Sequence, residues 1–470
     1  MSSSQAPNLN PSQPEQSKPK LRVASSRARV APGPRGPLSG FPLTRNPIPF
    51  LEKIFKRYGD IVQMRFMNLR IFAVAHPEGV KHVLQENHRN YTKSFDYQIL
   101  ARLLGQGLVT SEVPLWLSQR RLMQPMFHRQ KIAAFGDIMA ERTLQMLDRW
   151  RTIAENRTPI DVTVEMMHLT LDIVGRALLT MDLTDQADAI GHDLTIANER
   201  FGSMDLGTLM PWLPTPTNLR FRKAVKRLRQ MVLDIIAERR REGRDYGDLL
   251  SMLLAVRDEE TGEGMNDEQM RDEVLTLILA GHETTANALA WTWYLLSQNP
   301  EVEKKLHAEL DEVLGGRAAT MADLPNLNYT GMVIDESMRL YPPVWAIGRS
   351  PIEDDEIMGY KIPKGSNIML SEWLTHRHPG FWERPERFEP ERFSAERAQD
   401  RPRYAYFPFG GGPRQCIGNI FALNEAQIVL ATVAQRYRLR LVENHPIELQ
   451  PLVTLRPRHG VRVMLEPRAS

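Results

Sequence analysis

Phe407-Pro408-Phe409-Gly410-Gly411-Gly412-Pro413-Arg414-Gln415-Cys416-Ile417-Gly418 sets four glycines around the only cysteine of a 470-residue chain, just ahead of an alanine-containing helical segment. Glycines let a backbone approach a flat ligand closely, and the N–H dipoles of a helix start favour a thiolate over a thiol. A lone cysteine is most often a small buried hydrophobe. It also forbids an intramolecular disulfide and any centre needing several thiolates, such as an iron–sulfur cluster or a multi-cysteine zinc site. The surroundings of Cys416 therefore carry the reading, not the thiol alone.

Upstream, Asn266 to Asn299 is the strongest helical segment, with Asn266 and Gln269 in capping-box spacing and Pro300 as its stop. At 1.5 Å per residue it would span about 50 Å. In its middle an apolar run ending at Leu279 is broken by Ala280-Gly281-His282-Glu283-Thr284-Thr285-Ala286. Polar groups in mid-helix need partners or water, so by itself this is a face turned toward solvent or toward another polar element. Glu336 and Arg339, spaced i, i+3, point to one side of a helix ending at Tyr341-Pro342-Pro343. Alone they would be a surface pair worth about 0.5 kcal/mol. Phe388-Glu389-Pro390-Glu391-Arg392-Phe393 downstream adds a third charge. Trp116 and Arg120, spaced i, i+4 after Pro114, equally suit a packed amphipathic helix, and Arg349 equally suits a surface strand.

Together these segments resemble the cytochrome P-450 family of haem-thiolate monooxygenases, in a soluble type without a fused reductase. Phe409, Gly412, Arg414, Cys416 and Gly418 fill every fixed position of its Phe-x-x-Gly-x-Arg-x-Cys-x-Gly pattern. The resemblance implies that Cys416 ligates the iron of heme b (iron protoporphyrin IX), that Phe409 packs beside the sulfur and that Arg414 pairs with a haem propionate. Ala280 to Thr285 is similar to the family's oxygen-activating bend. There Gly281 would open room for dioxygen, Glu283 would relay protons, and Thr284 would hydrogen-bond the activated oxygen or an ordered water. Glu336, Arg339 and Arg392 resemble the family's buried charge network, which braces the cysteine loop. Trp116, Arg120 and Arg349 would reach the propionates, although Val113 stands where the family often has glycine.

The remaining sequence fits that frame. Residues 1–31 are expected to be a disordered tail, rich in Ser, Pro, Gln and basic residues, with residues 32–470 forming the haem domain. Ile61–Phe66 and Arg70–Ala75 read as a hairpin, and His76 to about Leu340 as successive helices. Short strands, among them Tyr360–Pro363, and a Pro- and Arg-rich meander follow, before helix resumes beyond Cys416. The fold class is thus mainly α with small β-sheets, a large helical lobe beside a smaller β-rich one. Pro211-Trp212-Leu213-Pro214-Thr215-Pro216-Thr217 is too proline-rich for helix and is expected to cover something apolar.

With 42% hydrophobic and 25% charged residues and a net charge of only +3, the chain has an ordinary globular composition and no footprint for nucleic acid. No apolar stretch near the start is long enough for a membrane anchor, and a single thiol suits the cytoplasm. The resemblance implies insertion of one atom of dioxygen into a hydrophobic substrate such as a fatty acid, terpene or steroid. Electrons would come from NAD(P)H through a separate ferredoxin or flavodoxin-type partner and its reductase. Leu100–Leu108, Val344–Ile347 and Leu452–Leu455 are the expected substrate-lining segments. Arg120, Arg121, Arg129, Lys131 and Arg403 form the expected docking patch for an acidic partner. A haem-thiolate peroxygenase or isomerase, or a haem gas sensor, would be the alternatives; Glu283-Thr284 argues against the former, and the lack of an output domain against the latter.

Overall fold

The computed structural model describes residues 28–468, apart from 182–183, 203–209, 211 and 258–261. Its centre is the helix Asp267–Gln298, hereafter the long helix. Both halves of the capping box form: the Asn266 side chain accepts from the Gln269 N–H, and the Gln269 side chain accepts from the Asn266 N–H. Asp267 and Glu268 sit in the first turn, where they complement the helix dipole, and Pro300 opens the next helix. The long helix is buried on nearly all sides, which explains why its sequence shows so little amphipathic contrast. Val162–Leu179, Pro216–Glu242, Asn328–Leu340 and Asn419–Arg436 pack around it.

The smaller lobe holds a five-stranded sheet drawn from both ends of the chain. Ile61–Phe66 pairs antiparallel with Leu69–Val74, which runs parallel to Asn367–Leu370. Ile347–Pro351 pairs antiparallel with Asn367–Leu370, and Tyr91–Lys93 closes the edge. A second sheet joins Ile160–Asp161, Arg462–Pro467 and Tyr437–Leu441. A tight hairpin, Leu449–Pro451 with Leu455–Pro457, turns back toward the long helix, where Trp291 Nε1 donates to the Leu455 carbonyl at 3.0 Å.

Several expectations need correction. The second hairpin strand begins one residue earlier than expected, at Leu69. The helical lobe also contains the short strands Tyr91–Lys93 and Ile160–Asp161, because strands of two or three residues leave no periodicity of their own. Ahead of the expected boundary at residue 32, Arg29 bridges Tyr360 and Ala31 is buried. The tail expected over residues 1–27 lies outside the described residues. Trp212 is 67% exposed, so it does not serve as an apolar cover, and Pro211 is not described.

Candidate active site

The cysteine loop is shaped by backbone. The Cys416 N–H donates to the Phe409 carbonyl at 3.0 Å, closing the loop, and Gly410 and Gly412 have φ of 67° and 66°. A Cβ on Gly412 would lie 1.8 Å from the Leu84 carbonyl oxygen, so only glycine fits there. Gly418 caps the helix Asn419–Arg436. Burial pushes the Cys416 thiol pKa up, opposed by a hydrogen bond from the Gly418 N–H and by the nearby Arg120 guanidinium. The thiol is deep in the protein yet keeps accessible surface, so it borders open interior space.

The loop is held from behind by the ion network. Arg339 donates Nε to Glu336 Oε2 at 2.7 Å and Nη2 to Oε1 at 2.8 Å, and Arg392 Nε reaches Oε1 at 3.2 Å. Glu336 and Arg339 are fully buried. Arg339 Nη1 also donates to the His376 carbonyl at 2.9 Å, and His376 Nε2 accepts the Phe407 N–H at 3.0 Å. Burial, with the Arg339 and Arg377 guanidiniums, holds the His376 pKa well below its usual value, keeping that nitrogen an acceptor. Tyr406 donates to Asp335 Oδ1 at 3.0 Å. Two adjacent residues at the mouth of the loop are thereby tied to the network helix.

A cation cluster flanks the loop. Arg414 pairs with Glu112, donates to the Ser111 carbonyl at 3.2 Å and stacks its guanidinium 4.5 Å above the Trp116 ring. Lys93 Nζ donates to the same Ser111 carbonyl at 2.6 Å, and the Lys93 N–H donates to Glu112 Oε1 at 2.5 Å. Arg349 stands opposite Lys93 in the strand pairing. Burial first, and after it the Arg414 charge, lowers the Lys93 pKa to about 6. Lys93 would therefore regain its proton most readily when further negative charge is placed beside it. Arg120 Nη1 donates to the Gln415 carbonyl at 2.8 Å, beside the thiol, and the Trp116 ring face is taken by Arg414.

On the long helix, Ala280 is exposed and Thr284 is partly exposed between buried neighbours, so both meet open space inside the fold. Thr284 Oγ1 donates to the Ala280 carbonyl at 2.6 Å. A Cβ on Gly281 would lie 3.1 Å from Val174 Cγ2, so its smallness admits the neighbouring helix Val162–Leu179. Glu283 is buried, and its Oε1 accepts from Arg456 Nε at 2.8 Å and from the Asn198 and Thr454 side chains. Thr454 lies in the expected lining segment Leu452–Leu455 and also accepts from Asn287 Nδ2 at 3.2 Å. Asp272 Oδ2 accepts the Gln106 N–H at 2.8 Å and Glu273 Oε2 the Leu108 N–H at 3.0 Å, which fastens the end of the Leu100–Leu108 segment to the long helix.

Sequence reasoning missed Lys93, Glu112 and Arg456. An accessible thiol in a glycine loop, with a dense cation cluster at its edge and small residues on a facing helix, is a donor set that could hold a flat, dicarboxylated iron macrocycle.

Comparison with known proteins agrees with this geometry. Residues 33–463 match the family model for cytochrome P450. The chain is 40% identical to cyclooctatin synthase of Streptomyces melanosporofaciens, covering 94% of this chain and 96% of that one. It is 34% identical to pentalenene oxygenase of Streptomyces avermitilis, over 91% and 94% of the two chains. The crystal structure of the cytochrome P450DA heme domain superposes with a TM-score of 0.86 at 26% identity, covering 94% of this chain and 98% of that one. No described helix is long and apolar enough to cross a membrane. The chain belongs to the cytochrome P450 family and is a monooxygenase with a haem-thiolate cofactor.

Proposed function

We propose that this enzyme places one oxygen atom from dioxygen on a terpene-type substrate, using heme b ligated by Cys416. The observation that carries the reading is the pairing of an accessible thiol in the glycine loop with Ala280 and Thr284, which open onto interior space from an otherwise buried helix. When bound, the thiolate-ligated haem supplies the activation of dioxygen that monooxygenation needs. Lys93, Arg349 and Arg414 would hold its carboxylates, with Trp116 supporting Arg414. The Thr284 hydroxyl, donating to Ala280, would orient a hydrogen-bonded oxygen or water through its lone pairs. Glu283, charge-compensated by Arg456, would pass protons to that position.

The terpene class is favoured over fatty acids and steroids by the terpene-oxidising relatives at 40% identity. A cyclooctat-9-en-7-ol 5-monooxygenase shares that identity over 85% of this chain. Electrons would arrive from a separate ferredoxin or flavodoxin-type protein in the cytoplasm. Arg121, Arg129, Lys131 and Arg403, all exposed on segments flanking the cysteine loop, suit an acidic partner.

Two measurements test this. The reduced protein with carbon monoxide should show the red-shifted Soret band of a thiolate ligand, and Cys416→Ser should lose it; retention of the band would remove Cys416 as the ligand. Titration with cyclic diterpene and sesquiterpene hydrocarbons or alcohols should shift the haem from low to high spin at lower concentration than fatty acids or steroids. The reverse order would overturn the terpene assignment.

A further inference from the structure

Leu38, Phe41 and Met67 are 58%, 40% and 60% exposed, and they share one tip of the smaller lobe. There the hairpin of Ile61–Phe66 with Leu69–Val74 turns over. The Met67 N–H donates to the Pro37 carbonyl at 2.7 Å, the Gly40 N–H donates to the Arg65 carbonyl at 2.7 Å, and the Phe41 ring stacks on Phe66 with centroids 6.5 Å apart. Ile61–Phe66 is the outermost strand of its sheet. From below, Phe66 and Leu69 pack on a small core that includes Leu51, Ile54 and Met64, which fixes the tip to the helix Pro47–Tyr58.

Two features of this tip work against folding. Arg65 and Arg70 stand directly opposite one another across the hairpin, and like charges so placed repel. Met67 has φ of 54°, in the left-handed region that a side chain enters at a cost, and the side chain it holds there lies in water. Asparagine or glycine would make the same turn without presenting a thioether to solvent.

The rim of the tip is basic. Arg35, Arg45, Arg65 and Arg70 are all exposed, Arg45 lies over the Phe41 ring at 5.0 Å, and no described carboxylate pairs with any of the four. Residues 1–70 hold twelve lysines and arginines against Glu15, Glu52 and Asp60, a net charge of +9 in a chain whose total is +3. Residues 1–27, outside the described residues, supply four of those cations and only Glu15, so they add to the positive charge rather than cancel it.

We propose that this tip docks on an anionic lipid surface, with Leu38, Phe41 and Met67 entering the headgroup region and Arg35, Arg45, Arg65 and Arg70 meeting lipid phosphates. Apolar side chains on a turn can enter a fluid layer that offers no shaped pocket, while arginine stems lie beside them and carry their charge to the phosphates. An acidic protein would answer the charge but would need a matching hollow for three separate apolar side chains. The docking is peripheral, since no described helix is long and apolar enough to cross a membrane.

The test is cosedimentation of the full-length haem-loaded protein with phosphatidylcholine vesicles, with and without phosphatidylglycerol, at low and high salt. Binding should need phosphatidylglycerol and weaken as salt is raised. Phe41→Ser/Met67→Asn removes apolar contact and Arg65→Gln/Arg70→Gln removes charge. Each should weaken binding about tenfold or more while the carbon monoxide band keeps its wild-type intensity. Absence of binding to either vesicle overturns the proposal. So does equal binding by wild type and both variants, which would place the contact on residues 1–27 or elsewhere. Self-association lost in the variants, with no vesicle binding by the wild type, would make the tip a contact between two copies and overturn it as well.

Discussion

Lys93 and Arg349 stand directly opposite one another where Tyr91–Lys93 pairs antiparallel with Ile347–Pro351, two basic residues at one cross-strand position. Like charges so placed repel, and Arg414, which shares the Ser111 carbonyl with Lys93, joins Arg349 and burial in favouring the neutral Lys93 amine. Glu112 pairs with the Arg414 guanidinium and accepts the Lys93 backbone N–H. The cluster gains most when a dicarboxylate is bound beside it.

A pH dependence follows for the haem-free protein. Folding lowers the Lys93 pKa from 10.5 to about 6, chiefly by burial. Between those values the unfolded chain holds a proton that the folded chain has released, so stability rises with pH across that window. Urea midpoints of haem-free protein should be higher at pH 9 than at pH 7, and Lys93→Met should flatten that rise. In the haem-loaded protein Lys93→Met should instead speed haem transfer to apomyoglobin. An unchanged slope and an unchanged transfer rate would remove Lys93 from the cluster's function.

Glu336 makes the sharpest stability prediction. It accepts from Arg339, Arg392 and the Glu389 N–H, all at zero or near-zero exposure of the charged side chains that reach it. Glu336→Gln leaves the buried Arg339 guanidinium without its anion and Arg392 with Glu389 alone, a loss of about 3–5 kcal/mol. Arg339→Lys should also be severe, because one ammonium cannot replace a fork that serves Glu336 and the His376, Pro385 and Arg387 carbonyls at once. Denaturant melts would show both, with haem lost early because Phe407 hangs from His376. A shift under 1 kcal/mol would mean the network is not the loop's support.

What was legible in the sequence was local. The capping box of the long helix and its stop at Pro300 act within a few residues, and each does in the structure what its spacing implies. Lys93 was missed because its strand is three residues long and its strand partners lie some 250 residues away, for example Ser350, whose carbonyl accepts from Thr92 at a separation of 258. Arg456 was missed for the same reason, since Glu283 is 173 residues upstream. Side-chain direction also decides contacts, and spacing alone does not reveal that Arg414 stacks over the Trp116 ring.

Gly412 should tolerate no side chain. Its φ of 66° already costs an alanine roughly 1–2 kcal/mol. The added Cβ would also meet the Leu84 carbonyl at 1.8 Å, and a backbone atom cannot rotate away. Gly412→Ala is expected to lower the red-shifted carbon monoxide band per mole of protein to a small fraction of wild type. Gly191→Ala, where the added methyl meets nothing within 4 Å, is the control and should leave the band intact.

Thr284 gives the functional prediction. Its hydroxyl donates to the Ala280 carbonyl at 2.6 Å, so its proton is engaged within the helix and its lone pairs are turned outward, where the helix is locally accessible. A hydroxyl so held can accept from water or from a protonated oxygen and fix its position. Thr284→Ala keeps the helix but removes that anchor. NAD(P)H consumption should then continue while product per NAD(P)H falls several-fold and hydrogen peroxide rises to match. Thr284→Ser, which restores the hydroxyl, should recover most of the coupling. The carbon monoxide spectrum should be unchanged in both variants, because neither touches the thiolate side. Equal coupling in wild type and Thr284→Ala would show that proton delivery bypasses this residue, and attention would pass to Glu283 and the Arg456 side chain that holds it.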